Sequence, residues 1–342
     1  MVTIRDVAKA SGVSIATVSK VINGRDQHIS EETRERVRSA ILKCGYISNS
    51  IARGLKTKKT FTIGFLLPDI SNPFFGSVSR GVQDEASKRG YSVIVCNTDG
   101  NVNAEIKSLE LLESKMVDGI IISRILADVN SELYEEKYPD LFKRIPTVVL
   151  DDGTTLDMAD DCGRVLINAE KAIYEGTCAL IEAGCKRIAY ISEQGNGGYR
   201  RSLGYLRALN ERGMAINDEL IVMKDYSIQG GKEAMESLLQ AGIDVDGIIC
   251  GNDMIAIGVL SILKRCDISV PEQIKIIGMD NIPFSEHIVP SLSTMAQPMH
   301  EIGTAAADML INAIEEEAPL YIKMFEAKLV ERETFQCVRK EE

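Results

Sequence analysis

The sequence predicts an α/β protein with a small helical head (residues 1–46), a hinge (47–60) and a body (61–342) of two doubly wound parallel sheets. Three observations predict this class. Residues 3–44 read as three short amphipathic helices. From Phe61 onward, short apolar runs alternate with stretches of helix length, which is typical of parallel sheets covered on both faces. That series restarts at residue 187, so the body contains two sheets.

The first two helices are predicted from their end signals. Thr3 and Asp6 have the spacing at which a hydroxyl and a carboxylate satisfy each other's backbone N–H groups, so the first helix starts there and runs to about Ala10. Gly12 stands where the chain needs a left-handed turn, which glycine adopts readily. Ser14 caps the second helix. The segment is therefore expected to form a helix, a tight turn and a helix.

The second helix has an outer face that is too polar for a core. Val18, Val21 and Ile22 recur at i, i+3 and i+4 and face inward. The remaining side chains are small, hydroxylated or basic, as in a face that enters a DNA groove; they are Ile15, Ala16, Thr17, Ser19 and Lys20. Two amphipathic helices that merely pack on the rest of the protein are the alternative. A third helix, residues 30–44, would complete a small core and favours the DNA-binding interpretation.

The segments IRDVAKASGVSIATVSKVING and SEETRERVRSAILKCGY resemble the amino-terminal domain of the LacI/GalR family of bacterial transcription regulators. The resemblance implies that Ile15, Ala16 and Lys20 read base edges in the major groove. Family members often carry arginine at the position of Lys20, and lysine cannot form the bidentate fork to guanine, so we expect a softer base preference there. The other head residues expected at the DNA are Thr3, Ser14, Thr17, Ser19 and Asn23.

The hinge is short and basic, with few apolar side chains to bury. A solvated linker is the alternative for the free protein, because Gly54 lowers helix propensity by about 1 kcal/mol relative to alanine and so short a helix is marginal alone. The family resemblance implies a helix that forms on the operator, pairs with its twin in the minor groove and inserts Leu55 as a wedge. The hinge residues expected at the DNA are Asn49, Ala52, Arg53, Leu55 and Lys56.

The body is predicted element by element from apolar runs and amphipathic stretches. The predicted strands are Thr62–Leu67, Ser92–Cys96, Gly119–Ser123, Thr147–Leu150, Arg187–Ile191, Gly247–Cys250 and Lys275–Gly278. The predicted helices are Ser77–Arg89, Glu105–Ser114, Ala169–Ala183, Arg200–Arg212, Gln229–Gln240 and Asp253–Arg265. The resemblance implies a bilobed, periplasmic-binding-protein-like fold, with an N-subdomain of about 61–163 and 295–327 and a C-subdomain of about 164–294 and 328–340.

Ligands of such sheets bind beyond the carboxyl ends of the strands. Carboxylates, amides and aromatic rings follow the predicted strands, and together they suit a polyhydroxylated molecule, because each hydroxyl both donates and accepts. For any single acid the alternative is a strand-end cap or a solvated loop. The candidates at these strand ends include Asp69, Ser71, Phe74, Ser123 and Asp253.

The family resemblance names further effector contacts. The motif RSLGY makes Arg201 the arginine that clamps the effector, and VVLD, CGND, GMDN and STMAQP place four polar contacts. Phe75 and Tyr226 match positions that often stack on a ring, and Arg124 is a second cation that would allow a phosphate or carboxylate on the ligand. The four polar contacts are Asp151, Asn252, Asp280 and Gln297.

Charge is divided unevenly between the two ends of the chain. Residues 1–60 hold 12 Lys or Arg against 5 Asp or Glu, a net charge of +7, and the rest holds 27 against 45, a net charge of −18. A basic head on an acidic body indicates that a polyanion binds at one end only. The eight cysteines show no CxxC or metal spacing, so we expect reduced core residues, no metal site and no cofactor.

An enzyme and a solute-binding protein are the two alternatives to a regulator. No dinucleotide, P-loop, HExxH or GxSxG motif is present, and Asp151 and its neighbour Asp152 would point to opposite faces of a strand, so an enzyme is not expected. A cytoplasmic solute-binding or sensing protein would explain the body but not the basic head. We expect no signal peptide, no membrane span and a cytoplasmic location.

The sequence therefore predicts a ligand-gated transcription regulator, most simply a repressor. A homodimer is expected to bind a pseudo-palindromic operator in double-stranded DNA, since two heads related by a two-fold axis read two half-sites. A small polar effector, such as a sugar, a sugar phosphate or a nucleoside-like ring, would bind between the lobes and change operator affinity.

Overall fold

The computed structural model describes residues 2–22, 26–46, 59–123, 141–151 and 162–336, apart from the side chains of Asp151 and Asn196. The chain forms two compact units, Met1–Thr60 and Phe61–Glu342. The second unit is the body.

The head is built from α1 (Ile4–Ser11), α2 (Ile15–Ile22) and α3 (Glu31–Cys44). The predicted start of α1 is confirmed, because Asp6 Oδ2 accepts hydrogen bonds of 2.8 Å from both the backbone N–H and the hydroxyl of Thr3. The turn after it is left-handed at Gly12, with φ 65°. Ser14 Oγ accepts from the N–H of Thr17 at 3.1 Å and so caps α2 as predicted.

The apolar core of the head is small. One valine from each of the three helices is fully buried: Val7, Val18 and Val37. They pack with two buried alanines, Ala8 and Ala40. Because each helix contributes to this cluster, its burial fixes the orientation of α2 within the head.

The body contains two six-stranded sheets. Its strands are β1 (Thr62–Leu67), β2 (Ser92–Asn97), β3 (Gly119–Ser123), β4 (Thr147–Asp151), β5 (Gly163–Ile167), β6 (Ile188–Ser192), β7 (Ile221–Met223), β8 (Gly247–Cys250), β9 (Lys275–Asp280), β10 (Ser293–Ala296), β11 (Ile322–Phe325) and β12 (Lys328–Val330). Its helices are α4 (Pro73–Lys88), α5 (Val102–Ser114), α6 (Ala169–Glu182), α7 (Asn196–Glu211), α8 (Ile228–Gln240), α9 (Asp253–Arg265) and α10 (Met299–Glu316). The predicted strands and helices are confirmed, with ends that shift by up to four residues.

The strand order is β11-β5-β4-β3-β1-β2 in the first sheet and β12-β10-β9-β8-β6-β7 in the second. All neighbours are parallel except β10 and β12. Each sheet is thus doubly wound, with the order reversing beside β1 and beside β6. The central strands are buried along nearly their whole length, which is why they read as continuous apolar runs in the sequence.

The predicted subdomain boundaries need a correction. β5 pairs with β4 in the first sheet, so the chain crosses to the second sheet after Ile167 and not near residue 163. β10 pairs with β9 in the second sheet, so the chain returns after Ala296. β5 begins with glycine and arginine, and β10 begins with serine and threonine, so neither reads as an apolar run and only pairing with their neighbours defines them.

Helix α4 begins earlier than predicted. Asn72 caps it, since its Oδ1 accepts from the N–H of Phe74 at 3.0 Å, and Pro73 occupies the first turn, where its missing N–H is not needed. The earlier start places Phe74 and Phe75 on the first turn of the helix that follows β1.

Helices α4 and α10, like helices α8 and α9, pack backbone against backbone. A Cβ built at Gly81 of α4 would lie 2.1 Å from the carbonyl oxygen of His300, and one at Gly303 of α10 would lie 2.1 Å from that of Val78. Gly231 of α8 and Gly258 of α9 repeat this arrangement on the second sheet. The glycines let each pair approach more closely than side chains would allow.

Among the described residues, no helix combines the length and the apolar composition that a membrane span needs. The cysteines of the described part are free thiols and most are buried, as expected for reduced core residues; Cys337 lies outside it.

Candidate functional site

The outer face of α2 combines an exposed apolar side chain with an exposed cation. Ile15 is 44% exposed although it is large and apolar, and Ala16 and Lys20 are exposed beside it. Thr17 and Ser19 are half-buried, and the hydroxyls of Ser14 and Thr17 lie 2.9 Å apart. This face offers apolar contact, hydroxyls and a positive charge together, as a DNA groove requires.

Several predicted DNA contacts cannot be placed on this face. Thr3 is exposed at the start of α1, where it bonds Asp6. The others lie outside the described residues and are Asn23, Asn49, Ala52, Arg53, Leu55 and Lys56.

A cavity of about 580 Å³, here called the cleft, lies in the body and is lined by residues of both sheets. Its lining follows the carboxyl ends of the strands, as predicted for doubly wound sheets. The predicted effector residues that line it are Phe74, Phe75, Ser123, Arg201, Tyr226, Asn252, Asp280 and Gln297.

Three predicted effector residues are not placed in the cleft. Ser71 is exposed and does not line the cavity. Its hydroxyl donates at 2.6 Å to Oδ1 of Asp69, which does line it. Arg124 lies outside the described residues. Asp151 ends β4 beside the lining residue Leu150, but its side chain is not described.

Aromatic rings form one wall of the cleft. Phe74 and Phe75 meet edge to face, with ring centroids 5.0 Å apart, and Phe75 is buried. Their position on the first turn of α4 follows from the Asn72 cap. An apolar wall of this kind suits the face of a ligand ring.

Arg201 lines the cleft from α7, and two hydrogen-bond acceptors hold its guanidinium in place. Its Nη1 donates to Tyr226 Oη and to the carbonyl oxygen of Gly251, both at 2.7 Å. The guanidinium carbon lies 4.9 Å from the centroid of the Tyr226 ring. Tyr226 Oη is also 3.1 Å from Ser192 Oγ, so the arginine and the tyrosine are fixed as a pair.

Buried polar groups form the floor of the cleft. Gln297 Nε2 donates to Asp280 Oδ1 at 2.6 Å, and Asn252 Oδ1 accepts from the N–H of Ile255 at 2.9 Å and caps α9. Asp280 has φ 125°, a backbone conformation that residues with a side chain rarely adopt. Burial and the neighbouring Asp253 carboxyl raise the pKa of Asp280 well above its usual value.

Asp253 is one of the polar side chains expected at the strand ends, but it does not line the cleft. It is fully buried, and its carboxylate accepts from Ser285 Oγ and Thr294 Oγ1 at 2.6 Å and from the N–H of Ile282 at 3.0 Å. It thereby ties the start of α9 to the turn after Asp280. Burial raises the pKa of Asp253 to about 6 against these hydrogen bonds, which lower it.

The raised pKa of Asp253 predicts a pH-dependent stability. An acid whose pKa is higher in the folded than in the unfolded chain favours folding in its protonated form. This contribution is present below about pH 4 and is lost as the pH rises through about 6. We expect the midpoint of thermal unfolding of Asp253→Asn to rise relative to the parent protein by several degrees between pH 4 and pH 7. A difference between the two proteins that stays constant with pH would contradict this, and the exposed Glu272→Gln serves as the control.

The sequence missed carboxylates that line the cleft from loops. These carboxylates belong to Asp99, Glu193 and Asp225. Only Asp225 could have been found from the sequence, because it directly precedes the predicted effector residue Tyr226. Among the described residues, no group of three His, Cys, Asp or Glu side chains lies close enough together to hold a metal ion.

Comparison with protein-family models gives two matches. Residues 3–49 match the model described as bacterial regulatory proteins, lacI family. Residues 60–332 match the model described as periplasmic binding proteins and sugar binding domain of LacI family.

Similar proteins cover nearly the whole chain. Catabolite control protein A of Priestia megaterium is 36% identical over 92% of this chain and 93% of its own length. The ribose operon repressor of Halalkalibacterium halodurans is 36% identical over 98% of this chain and 97% of its own. Among solved structures, the lac repressor dimer bound to operator and the anti-inducer ONPF has a TM-score of 0.84 at 25% identity, and covers 97% of this chain and 98% of that one.

These relatives are transcription regulators and not enzymes. Together with the exposed face of α2 and the cleft between two doubly wound sheets, the matches show that this chain belongs to the LacI family of bacterial regulatory proteins and is a DNA-binding transcription regulator.

Proposed function

We propose that this protein represses transcription as a cytoplasmic homodimer that binds a pseudo-palindromic operator, and that a sugar or sugar derivative in the cleft controls its operator affinity. The proposal rests on one observation, that residues of both sheets line the cleft. A ligand that contacts both sheets favours one arrangement of them over another, and a change in their arrangement alters how two hinges pair. Effector binding and operator binding are then reciprocally coupled.

The proposed roles follow the two units. Residues 1–46 form the head, in which Ile15, Ala16 and Lys20 read bases, and residues 47–60 form the hinge. In the body, the aromatic wall of Phe74 and Phe75 receives a ring face while Arg201 and the buried polar floor bind hydroxyl groups. The repression of sugar genes by relatives such as the ribose operon repressor supports a sugar as the effector.

A ligand screen tests this proposal. Sugars, sugar phosphates and nucleosides are added to the purified protein and thermal unfolding is followed. A ligand at about 100 times its dissociation constant stabilises the native state by about 2.7 kcal/mol, which is several degrees. Each ligand that raises the unfolding temperature is then added to a titration of operator DNA. The proposal requires a change in operator affinity, and stabilising ligands that leave that affinity unchanged would contradict it.

A hinge variant tests the proposed mode of DNA binding. Leu55→Ala is expected to weaken operator binding by about tenfold to a hundredfold, because it removes the side chain proposed to wedge into the central base step. Effector affinity of the body should stay unchanged. The measurement is a fluorescence-anisotropy titration of labelled operator. Parent-like operator affinity in Leu55→Ala would rule out the wedge, and Ile51→Ala in the same hinge provides the matched control.

A further inference from the structure

The turn that carries Asp280 has an unusual backbone. Asp280 has φ 125° and the next residue, Asn281, has φ 63°, so two consecutive residues with side chains have positive φ. Such conformations cost free energy and persist only where the surrounding structure holds them. Because the Asp280 side chain lines the cleft, its direction there depends on the bonds that hold this turn.

Two side chains that are fully buried and do not line the cleft hold the turn. The N–H of Asn281 donates to Thr294 Oγ1 at 3.2 Å, and the N–H of Ile282 donates to Asp253 Oδ2 at 3.0 Å. Thr294 Oγ1 itself donates to Asp253 Oδ1 at 2.6 Å. Because an ionised carboxylate only accepts, the hydroxyl hydrogen of Thr294 points to Asp253 and leaves its lone pairs for Asn281. The two N–H groups that follow Asp280 therefore depend on Asp253, one of them directly and one through Thr294.

The strand before the turn leaves room for this carboxylate. Gly278 lies on β9, two residues before Asp280, and pairs with Thr294 of β10. A Cβ built at Gly278 would lie 2.2 Å from Asp253 Oδ1. The absence of a side chain at Gly278 is thus what allows the Asp253 carboxylate to reach Thr294.

The carboxyl group of Asp280 is aimed by the same turn. Its Oδ1 accepts from Gln297 Nε2 at 2.6 Å, and the carbonyl oxygen of Asp280 accepts from the N–H of Gln297 at 3.1 Å. Gln297 lines the cleft as well, so the two side chains meet a ligand as a pair. A rotation of the backbone at Asp280 would break this pairing and change the geometry that a ligand meets.

We propose that Asp253 and Thr294 are positioning residues for the effector site, which hold the Asp280 turn in its conformation and so set effector affinity without touching the ligand. The inference rests on the proposed function, in which Asp280 binds the effector, and deepens it by two residues that act indirectly. Without the Thr294 hydroxyl, the buried N–H of Asn281 loses its acceptor, which is unfavourable. The turn is then expected to relax toward an ordinary backbone conformation and to move the Asp280 carboxyl from its place in the cleft.

Two variants at Thr294 test the hold on the turn without a ligand. Thr294→Val keeps the size of the side chain and removes the hydroxyl, whereas Thr294→Ser keeps the hydroxyl. Hydrogen exchange of the full-length protein, followed by mass spectrometry on peptides that contain Asn281 and Ile282, should be at least tenfold faster in Thr294→Val and close to the parent rate in Thr294→Ser. Exchange at the parent rate in Thr294→Val would overturn the inference.

Effector affinity separates positioning from a general loss of stability. Calorimetric titrations use ribose, glucose and galactose as probes. Affinity for each sugar that binds the parent protein should fall at least tenfold in Thr294→Val and less than threefold in Thr294→Ser. Parent-like affinity in Thr294→Val would overturn the inference. If none of the three sugars binds the parent protein, that result counts against the proposed function, whereas the hold on the turn is decided by the exchange rates.

Asp246 provides a matched control in the same lobe. Its carboxylate also accepts from two successive backbone N–H groups, those of Lys186 and Arg187, at 2.8–3.0 Å, and it does not line the cleft. Asp246→Asn should therefore lower the unfolding temperature and keep the parent affinity for the same sugars. Equal losses of affinity in Asp246→Asn and Thr294→Val would overturn the inference, because both would then reflect stability alone.

Discussion

Arg201→Ala is expected to abolish the effector response while operator binding persists. The guanidinium is fixed by two hydrogen bonds of 2.7 Å, to Tyr226 Oη and to the carbonyl oxygen of Gly251, and it faces the cleft from the second sheet. Charge-assisted hydrogen bonds contribute about 1.5–3 kcal/mol each. Loss of the arginine therefore removes ligand contacts and also loosens Tyr226, so effector affinity should fall by at least about a hundredfold.

The measurement is an effector titration of operator affinity, repeated for a matched variant on the same helix. Arg207 also lies on α7, but its guanidinium stacks 4.0 Å above the Tyr174 ring and its Nη1 is 2.9 Å from Glu170 Oε1, away from the cleft. Arg207→Ala should retain the full response. If Arg201→Ala kept a parent-like dose response, Arg201 would not belong to the effector site.

Sequence patterns predicted what depends on near neighbours. The Thr3–Asp6 cap, the turn at Gly12 and the strands of the sheet centres are set by spacing and by apolar runs, so they were found. Most effector candidates line the cleft, because parallel strands bring their carboxyl ends to one edge.

Features that depend on distant parts of the chain were not predictable. Asp253 looks like a solvated acid at a helix start, and only the packing of Ser285 and Thr294 against it shows that it is buried. The short strands β5 and β10 are defined by their pairing with β4 and β9. The sequence prediction therefore placed the two crossings between the sheets a few residues from where they occur. Asp99 and Glu193 lie in loops whose course over the cleft has no local signal.

Gly81→Ala is expected to destabilise the body by about 3 kcal/mol, near the upper end of the usual range for overpacking. The added Cβ would stand 2.1 Å from the carbonyl oxygen of His300 and 2.9 Å from the backbone N of Thr304. Both are backbone atoms of α10, so no side chain can rotate away and the two helices must separate. The separation also strains the reciprocal contact of Gly303 with Val78, so the double variant Gly81→Ala with Gly303→Ala should be less destabilised than the sum of the two single changes.

Gly76 provides a control within the same helix. It lies in α4, is exposed, and a Cβ there would meet no atom within 4 Å. Gly76→Ala should therefore stabilise the protein by about 0.5–1 kcal/mol, through the higher helix propensity of alanine alone. Urea unfolding of the two variants is expected to move the midpoint in opposite directions. Equal midpoints would mean that α4 and α10 have room to accommodate a methyl group, and that the close approach of their backbones does not hold this lobe together.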